Sequence, residues 1–262
     1  MTFLKALILG LIQGLTEFIP VSSSGHLIVA QTFLGQPDRL FMQFVDIGTL
    51  IALLIYFRHK IYAIVTDIVK KHHYKLALNL LITSIPAGII GFLLAGFIDS
   101  SWFFSSISVT SIALGAIGVI MINIAKLPKQ SKIRRMEHLP YLRALNIGLA
   151  QMLALIPGVS RSGATIIVGR MSGLSSTDAA QYSFLASIPI MCGMVLRLFI
   201  NATARTYFMH NIGLIIVANV VAFVVGWLAI GWLLKFLKRR DSLRTFGWYR
   251  VAMAFVLLAI NA

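Results

Sequence analysis

Two polar stretches interrupt apolar surroundings: residues 13–26, QGLTEFIPVSSSGH, and residues 157–165, PGVSRSGAT. Gln13 and Glu17 are four residues apart, so on a helix ending near Pro20 both point to one face and lead directly into three serines. A carboxylate in an apolar zone is expensive and is usually kept where it faces a cavity and works; packing or helix capping is the plain alternative. The runs 21–25 and 159–163 place small residues before a second apolar half-helix. In that geometry free N–H groups and the positive end of a helix dipole face an anion, and phosphate suits them. Arg161 stands where the first motif has Ser23 and is the only cation inside either motif. Its fork of donors matches phosphate oxygens, unless it pairs with Glu17 as an internal ion pair. His26, beside Glu17 and three hydroxyls, has the chemistry of an acid–base group, a packed hydrogen-bonding histidine being the alternative. Asp46, in FVDIGTLIALL, is a second carboxylate at membrane depth, which either extends the site or pairs with an arginine such as Arg197.

The elements that must position these groups are membrane helices. The chain has 262 residues, 58% hydrophobic and only 12% charged, with a mean hydropathy of +0.88, too apolar for a soluble domain. Its net charge of +15 does not mark a nucleic-acid binder, because the Lys and Arg residues sit in short breaks between apolar runs instead of on a folded polar face. The single cysteine, Cys192, rules out an internal disulfide and a cysteine metal cluster. Lys5 before an apolar run resembles a signal-peptide start, but Glu17, Pro20 and Ser22 to Ser24 lie where the apolar core should continue, so the N-terminal segment is read as part of the fold.

The chain also repeats itself. Shifted by 138 positions, residues 6–25 meet identical residues at ten of twenty places, among them Gly10 on Gly148, Gln13 on Gln151, Ser22 on Ser160 and Gly25 on Gly163, and Gln43 falls on Gln181. That is more than apolar composition gives, so one membrane domain over 1–262 is expected to contain two equivalent halves, about 1–125 and 144–262. Six apolar segments, about 41–57, 76–98, 103–125, 179–200, 211–234 and 246–262, are each near the ~20 residues that cross a bilayer. The motif segments, about 6–34 and 144–170, are broken in the middle.

The breaks 58–75, 126–143 and 235–244 carry 16 of the 23 Lys and Arg residues, which places them in the cytoplasm. The last of these returns to the cytoplasm only if the second motif re-enters the membrane and turns back. Each half is then a re-entrant helix–loop–helix followed by three spans, an all-α polytopic protein with an inverted repeat. Both termini are expected outside, and the site opens to the outer side. Non-helical backbone at membrane depth is tolerated only inside protein or beside water, so two facing loops define a polar cavity.

QGLTEFIPVSSSGHL and PGVSRSGATI, in this order and in halves of this length, closely resemble the signature motifs of the bacterial undecaprenyl-diphosphate phosphatases of the bacitracin-resistance type. The likeness extends to FRHK, LLITSIPAGIIGFLL and YRVAMAFVLL, and so covers essentially the whole chain. It implies an inner-membrane enzyme that removes the terminal phosphate of undecaprenyl diphosphate, recycling the carrier lipid for peptidoglycan synthesis and conferring bacitracin resistance. Its substrate is a polyprenyl diphosphate, its surroundings are membrane lipids, and a homodimer is compatible with it; no nucleic acid is involved. The family pattern falls on Gln13 and Glu17, on Ser22, Ser23, Ser24 and Gly25, on His26, and on Ser160, Arg161, Ser162, Gly163 and Thr165. The catalytic set expected on this resemblance is Glu17, Ser23, His26 and Arg161, the others contacting substrate. Ser23 is the preferred nucleophile, with Glu17 or His26 as base, and a water activated by Glu17 is its rival. Members are stimulated by Mg2+ or Ca2+, which implies a divalent cation. Many have Glu where this chain has Gln13, and Asp46 is in a position to supply the missing charge, so Glu17 and Asp46 are the candidate ligands. The other class of function open to paired re-entrant loops is passage: a lipid-phosphate flippase or small-anion transporter.

Overall fold

A computed structural model describes residues 1–35, 38–126, 133, 135–239 and 242–261; parts of the basic segments 126–143 and 235–244 therefore lie outside the described residues. The elements are α1 (Phe3–Thr16), α2 (Ser23–Leu34), α3 (Arg39–Tyr56), α4 (Arg58–Lys71), α5 (Lys75–Leu93), α6 (Ala95–Ser100), α7 (Trp102–Ser105), α8 (Ile107–Ile124), α9 (Tyr141–Leu153), α10 (Arg161–Met171), α11 (Ser176–Ile200), α12 (Ala202–Phe236) and α13 (Ser242–Asn261). Among the described residues no strand occurs. Six helices, α3, α5, α8, α11, α12 and α13, are long and apolar enough to cross a bilayer, and the chain is an all-α polytopic membrane protein. These are the six segments expected from hydropathy, with boundaries shifted by up to nine residues.

Short polar residues set the helix ends. The Asp38 carboxylate accepts from Leu40 N–H at the start of α3, Ser106 accepts from Val109 N–H at α8, and Asn201 turns the chain from α11 into α12 by accepting from Ala204 N–H. Each satisfies one of the donors that a helix N-terminus leaves open. The break 58–75 differs from the expected plain loop: it forms α4, which buries no residue and exposes Tyr62, Val65 and Val69 beside Lys70 and Lys71. Apolar and basic groups along one exposed helix suit a position in the membrane–water interface.

The motif segments break where expected. Between α1 and α2, and again between α9 and α10, the chain passes through a serine with positive φ: Ser22 at 73° and Ser160 at 68°. Both are the residue before the second half-helix, so the two motifs share a costly backbone conformation as well as a sequence.

Packing crosses between the halves. Helix α1 lies along α12, its repeat counterpart α9 lies along α5, and α8 lies along α13. Small residues permit this closeness, as expected where lipid gives helices no hydrophobic reason to associate. A Cβ on Gly14 would come within 2.7 Å of the Ala222 carbonyl of α12, and one on Gly148 within 2.7 Å of the Thr83 carbonyl of α5.

One side chain ties the two broken hairpins together. Arg250 of α13 is fully buried and donates to Pro20 O at 3.2 Å in the first loop. It also donates to Gly158 O at 2.5 Å and Val159 O at 3.1 Å in the second loop and to Leu114 O of α8 at 3.3 Å. These loop carbonyls have no lipid partner, and each one orphaned would cost roughly 1–3 kcal/mol. Arg250→Met should therefore lower the thermal midpoint of the detergent-solubilised protein sharply, and Arg250→Lys, with a single ammonium in place of a planar fork, should recover only part of the loss. A methionine variant that melts with the wild type would remove Arg250 from this role.

Candidate functional site

The end of α1 positions the first groups. Glu17 N–H still bonds to Gln13 O at 3.0 Å, so helical geometry persists through Glu17 and sets the two side chains on one face. Gln13 Nε2 donates to Glu17 Oε2 at 3.0 Å and to Asp46 Oδ1, on α3, at 2.6 Å. An amide nitrogen is the only end of a glutamine side chain that two carboxylates accept from, which fixes its orientation. Ser23, at the start of α2, donates to the same Glu17 Oε2 at 3.2 Å.

The second motif meets this cluster from the other side. Arg161, the first residue of α10, donates through Nη2 to Glu17 Oε1 at 2.6 Å, with the two side chains only 19% and 17% exposed. Its other terminal nitrogen, Nη1, is buried and has no protein acceptor. A buried guanidinium donor left unpaired is costly, and an anion brought against it would satisfy it. The serines link the loops: Ser22 Oγ and Ser24 Oγ are 2.9 Å apart, Gly158 N–H donates to Ser24 Oγ at 3.2 Å, and Ser160 Oγ lies 3.2 Å from Ser162 Oγ while accepting from Gly163 N–H. Gly25 and Gly163 keep the space beside these serines small, since a Cβ on Gly163 would meet Ser160 Oγ at 3.4 Å and one on Gly25 would meet Leu114 at 3.3 Å.

Gln13, Glu17, Ser23, Asp46 and Arg161 thus form one connected cluster built from both halves. Two sequence candidates stand apart from it. In its neutral form His26 donates from Nδ1 to Ser22 O at 2.8 Å and accepts at Nε2 from the Tyr249 hydroxyl at 2.6 Å, its ring parallel to that of Tyr249. One nitrogen is thus engaged by the loop and the other by α13, and neither bonds to Glu17. Thr165 is buried with its hydroxyl 2.8 Å from Arg161 O and 2.5 Å from Ser183 Oγ, so it anchors α10 to α11. Asp46 bonds to Gln13 instead of pairing with Arg197, although both line one cleft of about 530 Å³ with Arg39, Gln43 and Asn201.

A divalent cation of the Mg2+ type takes one or two carboxylates and completes its shell with water and phosphate oxygens. Glu17 and Asp46, converging on a single amide nitrogen that occupies the place of a positive charge, fit that donor set. Among the described residues no group of three or more His, Cys, Asp or Glu side chains is placed to hold a metal. Arg250 and Tyr249 were not singled out from the sequence; the signal available for Arg250 was a lone cation in the apolar segment 246–262.

Comparison with known proteins points the same way. The family model described as bacitracin resistance protein BacA matches residues 6–256. A curated protein named undecaprenyl-diphosphatase 1 from Clostridioides difficile is 38% identical, over 97% of this chain and 94% of its own. Undecaprenyl-diphosphatase from Thermobifida fusca is 36% identical over 99% and 90%, and undecaprenyl-diphosphatase 2 from Shewanella oneidensis is 32% identical over 99% and 98%. With nearly its whole length matched by the family model and by these relatives, the chain belongs to the BacA bacitracin resistance family.

Proposed function

We propose that the chain hydrolyses undecaprenyl diphosphate to undecaprenyl phosphate and inorganic phosphate, in the bacterial inner membrane, at the cluster of Gln13, Glu17, Ser23, Asp46 and Arg161. The observation that carries the reading is the Glu17–Arg161 pair between the halves, with Arg161 Nη1 buried and without a protein acceptor. The names of the relatives supply the substrate.

Arg161 holds the terminal phosphoryl through Nη1 while Nη2 stays on Glu17, and so stabilises charge as that group moves in line. Ser23 Oγ, 3.2 Å from Glu17 Oε2, gives its proton to that carboxylate and attacks phosphorus. The anhydride P–O bond breaks and undecaprenyl phosphate leaves with the electron pair. The departing undecaprenyl phosphate takes the proton from Glu17, and the regenerated carboxylate deprotonates a water that cleaves the phosphoserine, releasing inorganic phosphate while Glu17 returns a proton to Ser23 Oγ. Glu17 and Asp46 against Arg161 leave the cluster one formal negative charge, unfavourable for a diphosphate. Glu17 and Asp46 are the residues that would hold a divalent cation, which would supply charge neutralisation of phosphate oxygens. His26, tied to Tyr249 and Ser22, steadies the start of α2 instead of acting as base.

The repeat is inverted in this reading: the basic segments are cytoplasmic, both termini and the cleft beside Asp46 face outward, and the crossed packing of α1 on α12 and α9 on α5 supports it. In a Cys192→Ser background, Cys at position 126 or 239 should stay unlabelled by an impermeant thiol reagent in intact cells and react after permeabilisation. Labelling in intact cells would invert the topology.

Purified protein in detergent, where no two sides exist, should release phosphate from undecaprenyl diphosphate; a flippase or transporter would not. In that assay Glu17→Gln should lose nearly all turnover while expressing well, because removing a carboxylate from membrane depth relieves a folding cost. Ser23→Ala should be equally inactive if serine attacks, whereas substantial residual turnover would assign attack to a Glu17-activated water.

Arg161→Lys keeps the charge and loses the planar fork. Losing one contact made mainly in the transition state costs roughly 2 to 4 kcal/mol, on the order of a hundredfold in turnover. A raised KM with normal turnover would limit Arg161 to uniform substrate binding, and unchanged values of both would leave it only the partner of Glu17.

A further inference from the structure

An apolar groove of about 710 Å³ runs between α5 and the C-terminal half of α11, lined by residues 81–92 of the first and 189–200 of the second, with Leu155 against Gly91. Met194 and Arg197 also line the polar cleft that contains Asp46, so the two hollows adjoin at these two side chains. Arg197 is the one charged residue among those lining the groove.

Glycines leave the groove open. A Cβ on Gly88 or on Gly193 would meet nothing within 4 Å. Glycines facing each other in membrane helices ordinarily permit close backbone approach, as Gly14 and Gly148 do here. Gly88 and Gly193 permit none, and what they preserve is space. The groove also has a place in the repeat: Leu155, at its floor, occupies the position equivalent to Glu17. One half thus brings a carboxylate to this depth where the other brings an isobutyl group.

We infer that this groove receives the proximal part of the prenyl chain and that Arg197, at its junction with the Asp46 cleft, binds a phosphate oxygen of the head group on entry. This rests on the reading of the site as a prenyl-diphosphate phosphatase. The occupant is specified by what the groove joins. A hydrocarbon chain lying in it has its polar end at Arg197, beside the carboxylate cluster, and only a lipid whose anionic group is consumed there gains from both parts. From 81 to 92 the groove follows about 17 Å of helix, roughly half of the ~30 Å hydrocarbon core, so the first isoprene units occupy it and the rest of the chain lies in the bilayer.

Filling the groove should therefore discriminate by chain length. With Gly88→Leu, kcat/KM for undecaprenyl diphosphate should fall about tenfold, through the loss of a few buried methylene contacts, while that for dimethylallyl diphosphate, with a single isoprene unit, should change less than about twofold, which also certifies the fold. Arg197→Gln should raise KM for both substrates with little change in kcat. A prenyl diphosphate carrying a photoreactive first isoprene unit should label α5 and α11, and excess undecaprenyl diphosphate, but not phosphatidylglycerol, should suppress the label. Parallel loss on both substrates, no loss on either, an unchanged KM in Arg197→Gln, or label outside these helices would each overturn the assignment. Failure of the phosphatase reading looks different: wild-type protein would release no phosphate from undecaprenyl diphosphate at all.

Discussion

Lipid offers no hydrogen bonds to a broken helix, and the rest of this structure follows from that constraint. Two hairpins interrupt helices of this membrane protein with non-helical backbone, at residues 18–22 and 154–160. Their carbonyls are satisfied from within: Arg250 reaches Pro20, Gly158 and Val159, and Ser24 accepts the Gly158 N–H. Because Arg250 of α13 bonds to both loops and Ser24 joins one motif to the other, neither hairpin is satisfied alone. Glu17 and Arg161 are brought together by the same closure. The solution to a folding problem is therefore also what assembles a charged site where water is scarce and electrostatic contacts are strong.

Divergence of the two halves explains how one pair of similar hairpins yields one site instead of two. Gln13 bridges two carboxylates, whereas its counterpart Gln151 donates to Thr83 O and helps hold α9 on α5. Asp46 is polar and lines a cleft, but its counterpart Phe184 is buried, edge-on to Phe18. Glu17 is answered by Leu155, Ser23 by Arg161 and His26 by Ala164. The second half keeps the hairpin and contributes its cation, and on the side where the first half is acidic it is apolar.

Much of this was legible in the sequence, for identifiable reasons. Periodicity and length gave the six spans, because a membrane-crossing helix is a composition rule over ~20 residues. The proline-containing serine runs gave the breaks, and charge at depth singled out Glu17 and Arg161 as candidate partners and Asp46 as a second carboxylate, open between the site and Arg197. What escaped depended on orientation or on distant backbone. Arg250 matters through carbonyls of three separate segments, which no local pattern encodes. The bond of His26 to Tyr249 joins residues 223 positions apart, which its motif alone does not show. The break 58–75 was read through its charge, and the apolar Tyr62, Val65 and Val69 that make α4 amphipathic were outweighed by the basic residues around them.

The choice of arginine at position 161 joins folding to chemistry. Before substrate arrives, Glu17 and Arg161 each lessen the other's desolvation cost, which neither could bear unpaired at this depth. Lysine would neutralise Glu17 equally well, but its ammonium is one point of charge, and a phosphate would have to compete for it with the carboxylate. The guanidinium has two outward nitrogens: Nη2 is committed to Glu17 and Nη1 has no protein acceptor. In the proposed reaction a phosphate is therefore held without breaking the contact between the two hairpins, and Glu17 has its second oxygen on Ser23 before attack. One planar side chain would then serve the ion pair and the anion site at once, and the reacting groups would stay aligned because binding does not dismantle the pair that positions them.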